Sequence, residues 1–81
     1  FFKEDFARIQ EIFDWYASSN ELSLQPGQGY FIADSEEEMT NRIRYEIFPL
    51  IKEYLQEGLI RNAREEFNNY FAIRIYKSLF E

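Results

Sequence analysis

The chain contains no cysteine and no histidine. The first absence excludes disulfides, thiolate metal ligands and a cysteine nucleophile. The second excludes imidazole ligands and histidine acid–base chemistry within this chain. Valine is absent as well, and the aliphatic load falls on isoleucine and leucine. No uninterrupted run of about 18 apolar residues occurs, so no segment reads as a membrane span. No basic-then-apolar leader with a small-residue cleavage site is present. A cytoplasmic location with no membrane partner is the resulting expectation.

Against these absences stands an abundance of aromatic residues: nine Phe, six Tyr and one Trp in 81 residues. Each buried aromatic removes about 150–250 Å² from water, so a few suffice for a core. A chain of this size buries roughly 60–65% of the surface that its unfolded form exposes. This fits a single helical domain over 1–81, with little room for a deep substrate cavity. The chain opens Phe1-Phe2-Lys3 rather than with Met, which fits a fragment of a longer protein. Net charge is −6, and its distribution is uneven. Residues 1–41 carry two basic and nine acidic side chains, residues 42–81 seven and six. Such an acidic chain is a poor stand-alone nucleic-acid binder, because phosphate contacts need clustered Lys and Arg.

Apolar spacing predicts a mainly α fold: a small bundle of three to four helices at about 2–18, 36–57 (kinked at Pro49) and 63–80. In the first, Phe2, Phe6, Ile9, Phe13 and Tyr16 recur at helical intervals. Ile12 and Trp15 widen that stripe, and Trp15 is expected to pack. Ser18-Ser19-Asn20 reads as its stop. Pro26, Gly27 and Gly29 exclude helix between them. A short extended or hairpin segment around 22–33 is expected there, marginal unless it packs on helices. Ser35 and Glu38 form a capping box, and Glu36 and Glu37 also suit the positive end of the helix dipole. Met39, Ile43, Ile47, Leu50 or Ile51, and Tyr54 then form one face. Pro49 interrupts it and predicts a kink or two abutting helices near Phe48. Gly58 reads as a left-handed terminator, and Asn62 with Glu65 as a second capping box. Phe67, Phe71, Ile75 and Leu79 follow at spacing four, broadened by Tyr70, Ile73 and Phe80. Residue type alone also allows a strand over Tyr70–Tyr76, but the continuous spacing favours helix.

Few constellations suggest chemistry. Asp34, Glu36, Glu37 and Glu38 are compatible with Ca²⁺ or Mg²⁺, yet the twelve-residue ligand loop of an EF-hand is missing, and a helix start explains them. The Gln25–Gly29 turn lacks the Lys-Ser/Thr of a phosphate loop. Arg61, Arg64, Arg74 and Lys77 with Tyr70 and Tyr76 mix cations and aromatics as base-stacking surfaces do, diluted by Glu65, Glu66 and Glu81. Neither a catalytic residue nor a metal ligand is singled out, and no activity is expected of the chain alone.

Two segments together carry a family resemblance: Pro26-Gly27-Gln28-Gly29-Tyr30-Phe31, and Arg44-Tyr45-Glu46-Ile47-Phe48-Pro49-Leu50-Ile51-Lys52-Glu53-Tyr54-Leu55. They resemble the C-terminal helical lid of AAA+ ATPases of the McrB type, the nucleotide-hydrolysing motors of modified-cytosine restriction systems. In that family a Gly-His-Ser-Tyr-Phe segment precedes a helix reading Glu-Ile-hydrophobic-Pro-Leu-Leu-x-Glu-Tyr. Gln28 and Gly29 replace the usual His and Ser, and Arg42 and Arg44 match no lid-arginine motif. The resemblance implies a lid that helps close a nucleotide site and assemble an oligomeric ring. Its partners would be an upstream AAA+ core and neighbouring subunits, with nucleic acid engaged only indirectly. It also implies ATP or GTP with Mg²⁺ in the parent protein, none of it bound by this chain alone. Gly27, Gln28, Gly29, Tyr30 and Phe31 would lie nearest the nucleotide, and Glu46, Pro49, Leu50, Glu53 and Tyr54 would mark the lid helix. A rival expectation, resting on the aromatic excess, is a small acidic protein–protein interaction domain.

Overall fold

The computed structural model describes residues 1–80 and is built from helical elements. Helix α1 spans Lys3–Tyr16, α2 Glu36–Arg42, α3 Phe48–Gln56 and α4 Arg64–Ile75. A π turn over Ile43–Ile47 joins α2 to α3 without a break, so residues 36–56 form one continuous rod. Short 3₁₀ turns occupy Ser19–Leu24, Gln28–Phe31 and Arg61–Ala63. The Cα radius of gyration is 11.8 Å, against about 12 Å for a compact chain of this length.

The rod begins as its sequence dictates. Ser35 Oγ accepts the Glu38 N–H at 3.1 Å, and Glu38 Oε2 reaches back to the Asp34 N–H at 3.0 Å. The carboxylate thus caps one residue earlier than a standard box. Met39, Ile43, Ile47 and Ile51 all lie fully buried. At 3.6 residues per turn, each step of four overshoots a full turn by about 40°. The i→i+5 winding of the π turn, in which the Phe48 N–H donates to the Ile43 carbonyl, rotates less per residue and takes back part of that drift. It also lies one turn before Pro49, which has no N–H to give. The irregularity expected at Phe48–Pro49 therefore sits over Ile43–Ile47, and Pro49 occupies the first turn of α3. At the far end Gly58 adopts φ +81°. Gly58 N–H donates to Leu55 and Leu59 N–H to Tyr54, the paired bonds of a Schellman stop.

Helices α1 and α4 close the core over this rod. Phe13 meets Phe67 edge-on with ring centroids 5.7 Å apart, Phe48 meets Phe71 at 5.0 Å, and Phe67 stacks on Phe71 at 6.0 Å. Such pairs add about 0.5–1.5 kcal/mol each beyond area burial. The Asp5 carboxylate takes both Arg74 Nε (2.9 Å) and Nη2 (3.3 Å), plus the Tyr70 hydroxyl at 2.7 Å. Arg74 Nη1 also reaches Glu36 at 2.9 Å and Thr40 at 3.0 Å. One guanidinium thereby ties α1, α2 and α4 together.

Four expectations are corrected. No strand forms around 22–33: both pieces coil into 3₁₀ turns. Their carbonyls find donors on the helices instead of on a partner strand, Leu24 from the Tyr54 hydroxyl (2.9 Å) and Gly29 from Arg42 Nη1 (3.3 Å). Helix α4 stops at Ile75 rather than near 80, with Tyr76 left-handed at φ 58°. Asn68 Oδ1 then accepts the Leu79 N–H at 2.8 Å, folding the tail back so that Leu79 is still buried. Asn62 does not cap α4, because the 3₁₀ turn runs directly into the helix. Finally, Trp15 and Ile73 are not core residues: they are 77% and 80% exposed. At about 100° per residue, Ile73 lies about 160° round α4 from both Phe71 and Ile75, and Trp15 lies about 110° from the centre of the Ile9, Ile12 and Phe13 face.

Phe71 touches three other rings and has no exposed surface. Phe71→Ala is expected to cost about 3–5 kcal/mol, a large part of the roughly 4–12 kcal/mol available to 81 residues. Urea denaturation followed by circular dichroism measures this.

Candidate functional site

The turn expected to lie nearest a nucleotide is held by contacts from both sides. Phe31 is fully buried and meets Phe6 edge-on at 5.3 Å. Its carbonyl accepts the Phe2 N–H at 2.9 Å. Tyr30 is half-buried against the core, while Gly27, Gln28 and Gly29 face solvent. Phe31 thus pins the turn to α1 and offers no ring to a ligand. Of the motif helix, Leu50 and Tyr54 are half-buried, and Glu46, Pro49 and Glu53 are exposed. Burial of the Tyr54 phenol, with Tyr30 and Glu53 nearby, raises its pKa, so it remains the donor to Leu24.

Two residues that motif reading passed over do much of the positioning. Arg42, besides holding the Gly29 carbonyl, lies 3.7 Å from Glu46 and 4.0 Å from Glu38 along its own rod. Glu21 accepts the Ile60 N–H at 2.9 Å through one oxygen and the Ser18 N–H at 3.1 Å through the other. Ile60 is a buried β-branched residue at φ 45°, a conformation that such side chains rarely adopt. The Glu21 carboxylate therefore staples a strained turn to the end of α1, and those two N–H groups lower its pKa. The sequence signal was available only as the Ser18–Glu21 spacing.

Two open clefts stand out among the described residues. The larger, about 1150 Å³, lies among the C-terminal ends of α1 and α3, the Arg61–Ala63 turn and the chain's tail. Trp15, Tyr16, Glu21, Lys52, Leu55, Arg61, Arg64, Leu79 and Phe80 line it. The Arg64 guanidinium sits 4.4 Å from the Phe80 ring centre. The smaller cleft, about 730 Å³, is bounded by Phe1, Asp5, Glu36, Ile73, Arg74 and Tyr76 among others. Gly27 to Phe31 line neither cleft, nor do Glu46, Pro49, Leu50, Glu53 and Tyr54. The mixed cation–aromatic set of the sequence is split up: Arg61 and Arg64 enter the first cleft, Arg74 and Tyr76 the second, and Lys77 lies over Phe48 at 5.3 Å. Tyr70 is held protonated by burial and by its bond to Asp5, which push its pKa far up. Partial burial works against the Arg74 charge, but Asp5 and Glu36 outweigh it and raise its pKa. This cluster is an ion-pair clamp rather than an acid–base pair. Among the described residues, no group of three carboxylates is placed to hold a metal ion, and no helix is long and apolar enough to cross a membrane. No family model, curated protein or solved structure matches the chain.

Because backbone donors favour the ionised form of Glu21, its folded pKa lies below the unfolded one. The carboxylate stabilises the fold above the unfolded carboxyl range, and that contribution is lost as pH falls through the lowered value. Glu21→Gln is expected to lower the thermal midpoint at neutral pH. It should also shrink the wild-type loss of midpoint below about pH 5. Thermal melts across this range, read by circular dichroism, check both.

Proposed function

We propose that this chain is the lid subdomain of a McrB-like AAA+ nucleoside triphosphatase, inactive alone, that helps close a nucleotide site and assemble a ring in its parent protein. One observation carries the reading. The two segments that resemble the family, 26–31 and 44–55, feed one hydrophobic core, the turn itself packing on α1 through Phe2 and Phe6. Phe31 enters the shared core, and Arg42 and Tyr54 hold the carbonyls of Gly29 and Leu24. On the same rod Tyr45, 69% exposed, and Glu46, Pro49 and Glu53 serve little of the chain's own packing. They leave a face for an upstream core domain or a neighbouring subunit. ATP or GTP and its Mg²⁺ would be held by that core, since neither cleft reaches the 26–31 turn. Rigid-body movement of such a lid against the core couples hydrolysis to work. The exposed Trp15, Tyr16 and Phe80 favour a second reading, a small acidic protein–protein interaction domain.

Calorimetric titration of the 81 residues with ATP or GTP and Mg²⁺ is expected to show no saturable binding, and phosphate release no turnover. Turnover by the chain alone would overturn the lid reading. The parent reading frame is expected to carry a Gly-x-x-x-x-Gly-Lys-Ser/Thr phosphate loop upstream of Phe1, and its absence would favour the interaction domain.

A further inference from the structure

The larger cleft has a composition at odds with the rest of the chain. The protein carries 15 acidic and nine basic residues, yet Lys52, Arg61 and Arg64 meet there with Glu21 as the only acid among the described residues. Both Glu21 oxygens already accept backbone N–H groups. Among the described residues, none of the three cations is ion-paired. Beside them Trp15 is 77% exposed, and Tyr16 and Phe80 are also open to solvent. Leu55 and Leu79 supply an apolar floor. Trp, Tyr and Arg around such a floor are the residue types that concentrate binding energy at protein interfaces.

We infer that this cleft docks an acidic peptide segment of a partner protein, with carboxylates paired to Lys52, Arg61 and Arg64 and an aliphatic anchor set against Trp15 and the leucine floor. Charge complementarity selects this occupant. A nucleic-acid strand carries a charge at every phosphate, of which three cations neutralise few, whereas the two or three carboxylates of a short peptide segment are matched by them. The inference rests on the interaction-domain reading for its class of partner and does not depend on the lid reading.

Trp15 is the chain's only tryptophan, so its emission reports this cleft alone. The test titrates a short Asp/Glu-rich peptide bearing one central Leu, its Lys/Arg-rich counterpart, a neutral peptide with the same Leu, and single-stranded oligothymidine. The acidic peptide is expected to shift Trp15 emission saturably and to bind more weakly as salt rises. Arg61→Glu with Arg64→Glu should weaken it by about tenfold or more, with an unchanged thermal midpoint showing that the variant still folds. Should that variant not fold, the salt dependence of the wild type still decides. Saturable binding of the neutral or basic peptide instead would overturn the acidic class while leaving a protein-docking cleft. No response to any peptide would overturn both. Tighter binding of oligothymidine, or self-association in sedimentation at the same concentrations, would reassign the cleft to nucleic acid or to a second copy of the chain.

Discussion

The structure depends on keeping one apolar line continuous along the rod from residue 36 to residue 56. Met39, Ile43, Ile47 and Ile51 recur at intervals of four, and all have no exposed surface. An undisturbed α-helix would carry the last of them far round from the first. Pro49 would in addition press its ring on the carbonyl one turn back. The π turn over Ile43–Ile47 answers both demands by winding more widely just before the proline. Because the line holds, α1 and α4 have a single surface to cover, and the phenylalanine rings of three elements interlock there.

Around that rod, polar side chains do the work that strands or glycines do elsewhere. Arg42 and Tyr54 supply donors to the irregular 22–33 segment, Glu21 fixes the turn at Ile60, and Asn68 gathers the tail. Each ties a stretch lacking regular hydrogen bonds to a helix, and at Leu24, Ile60 and Leu79, which are partly or fully buried, it satisfies backbone groups that would otherwise be costly to bury. The Asp5–Arg74 pair does the same between helices. It is largely shielded, at 12% and 19% side-chain exposure, so screening by solvent removes less of its value than at an open surface. Lys52, Arg61 and Arg64, in no ion pair among the described residues, line the larger cleft beside the exposed indole.

Much of this was legible in the sequence, for local reasons. Apolar spacing placed all the long helices, Ser35 and Glu38 marked the start of the rod, and Gly58 marked its end. These signals act within a turn of the chain. What was not legible depends on partners far away. The pieces 22–24 and 29–33 on either side of Pro26 fit a hairpin until the distant Arg42 and Tyr54 are known to hold the Gly29 and Leu24 carbonyls. The four-residue spacing of Phe67 to Leu79 fits a helix to residue 80, because Leu79 reaches the core by a reversal that Asn68 stabilises. Trp15 sits at the margin of its stripe, where hydrophobicity alone cannot say whether a neighbour covers it. Of the candidate site, the 26–31 turn and the 44–55 helix were singled out by resemblance. The cleft was not, since its cations come from residues 52, 61 and 64 and its indole from residue 15.

The most direct test of the account concerns the hydrogen bond that defines the widened turn. Scalar couplings across hydrogen bonds, measured by NMR on the isotopically labelled chain, identify which carbonyl each amide meets. The account predicts a coupling between the Phe48 amide nitrogen and the Ile43 carbonyl carbon, with slow amide exchange at Phe48. A coupling from Phe48 to the Arg44 carbonyl, or an unprotected Phe48 amide, would contradict a continuous rod organised by a π turn.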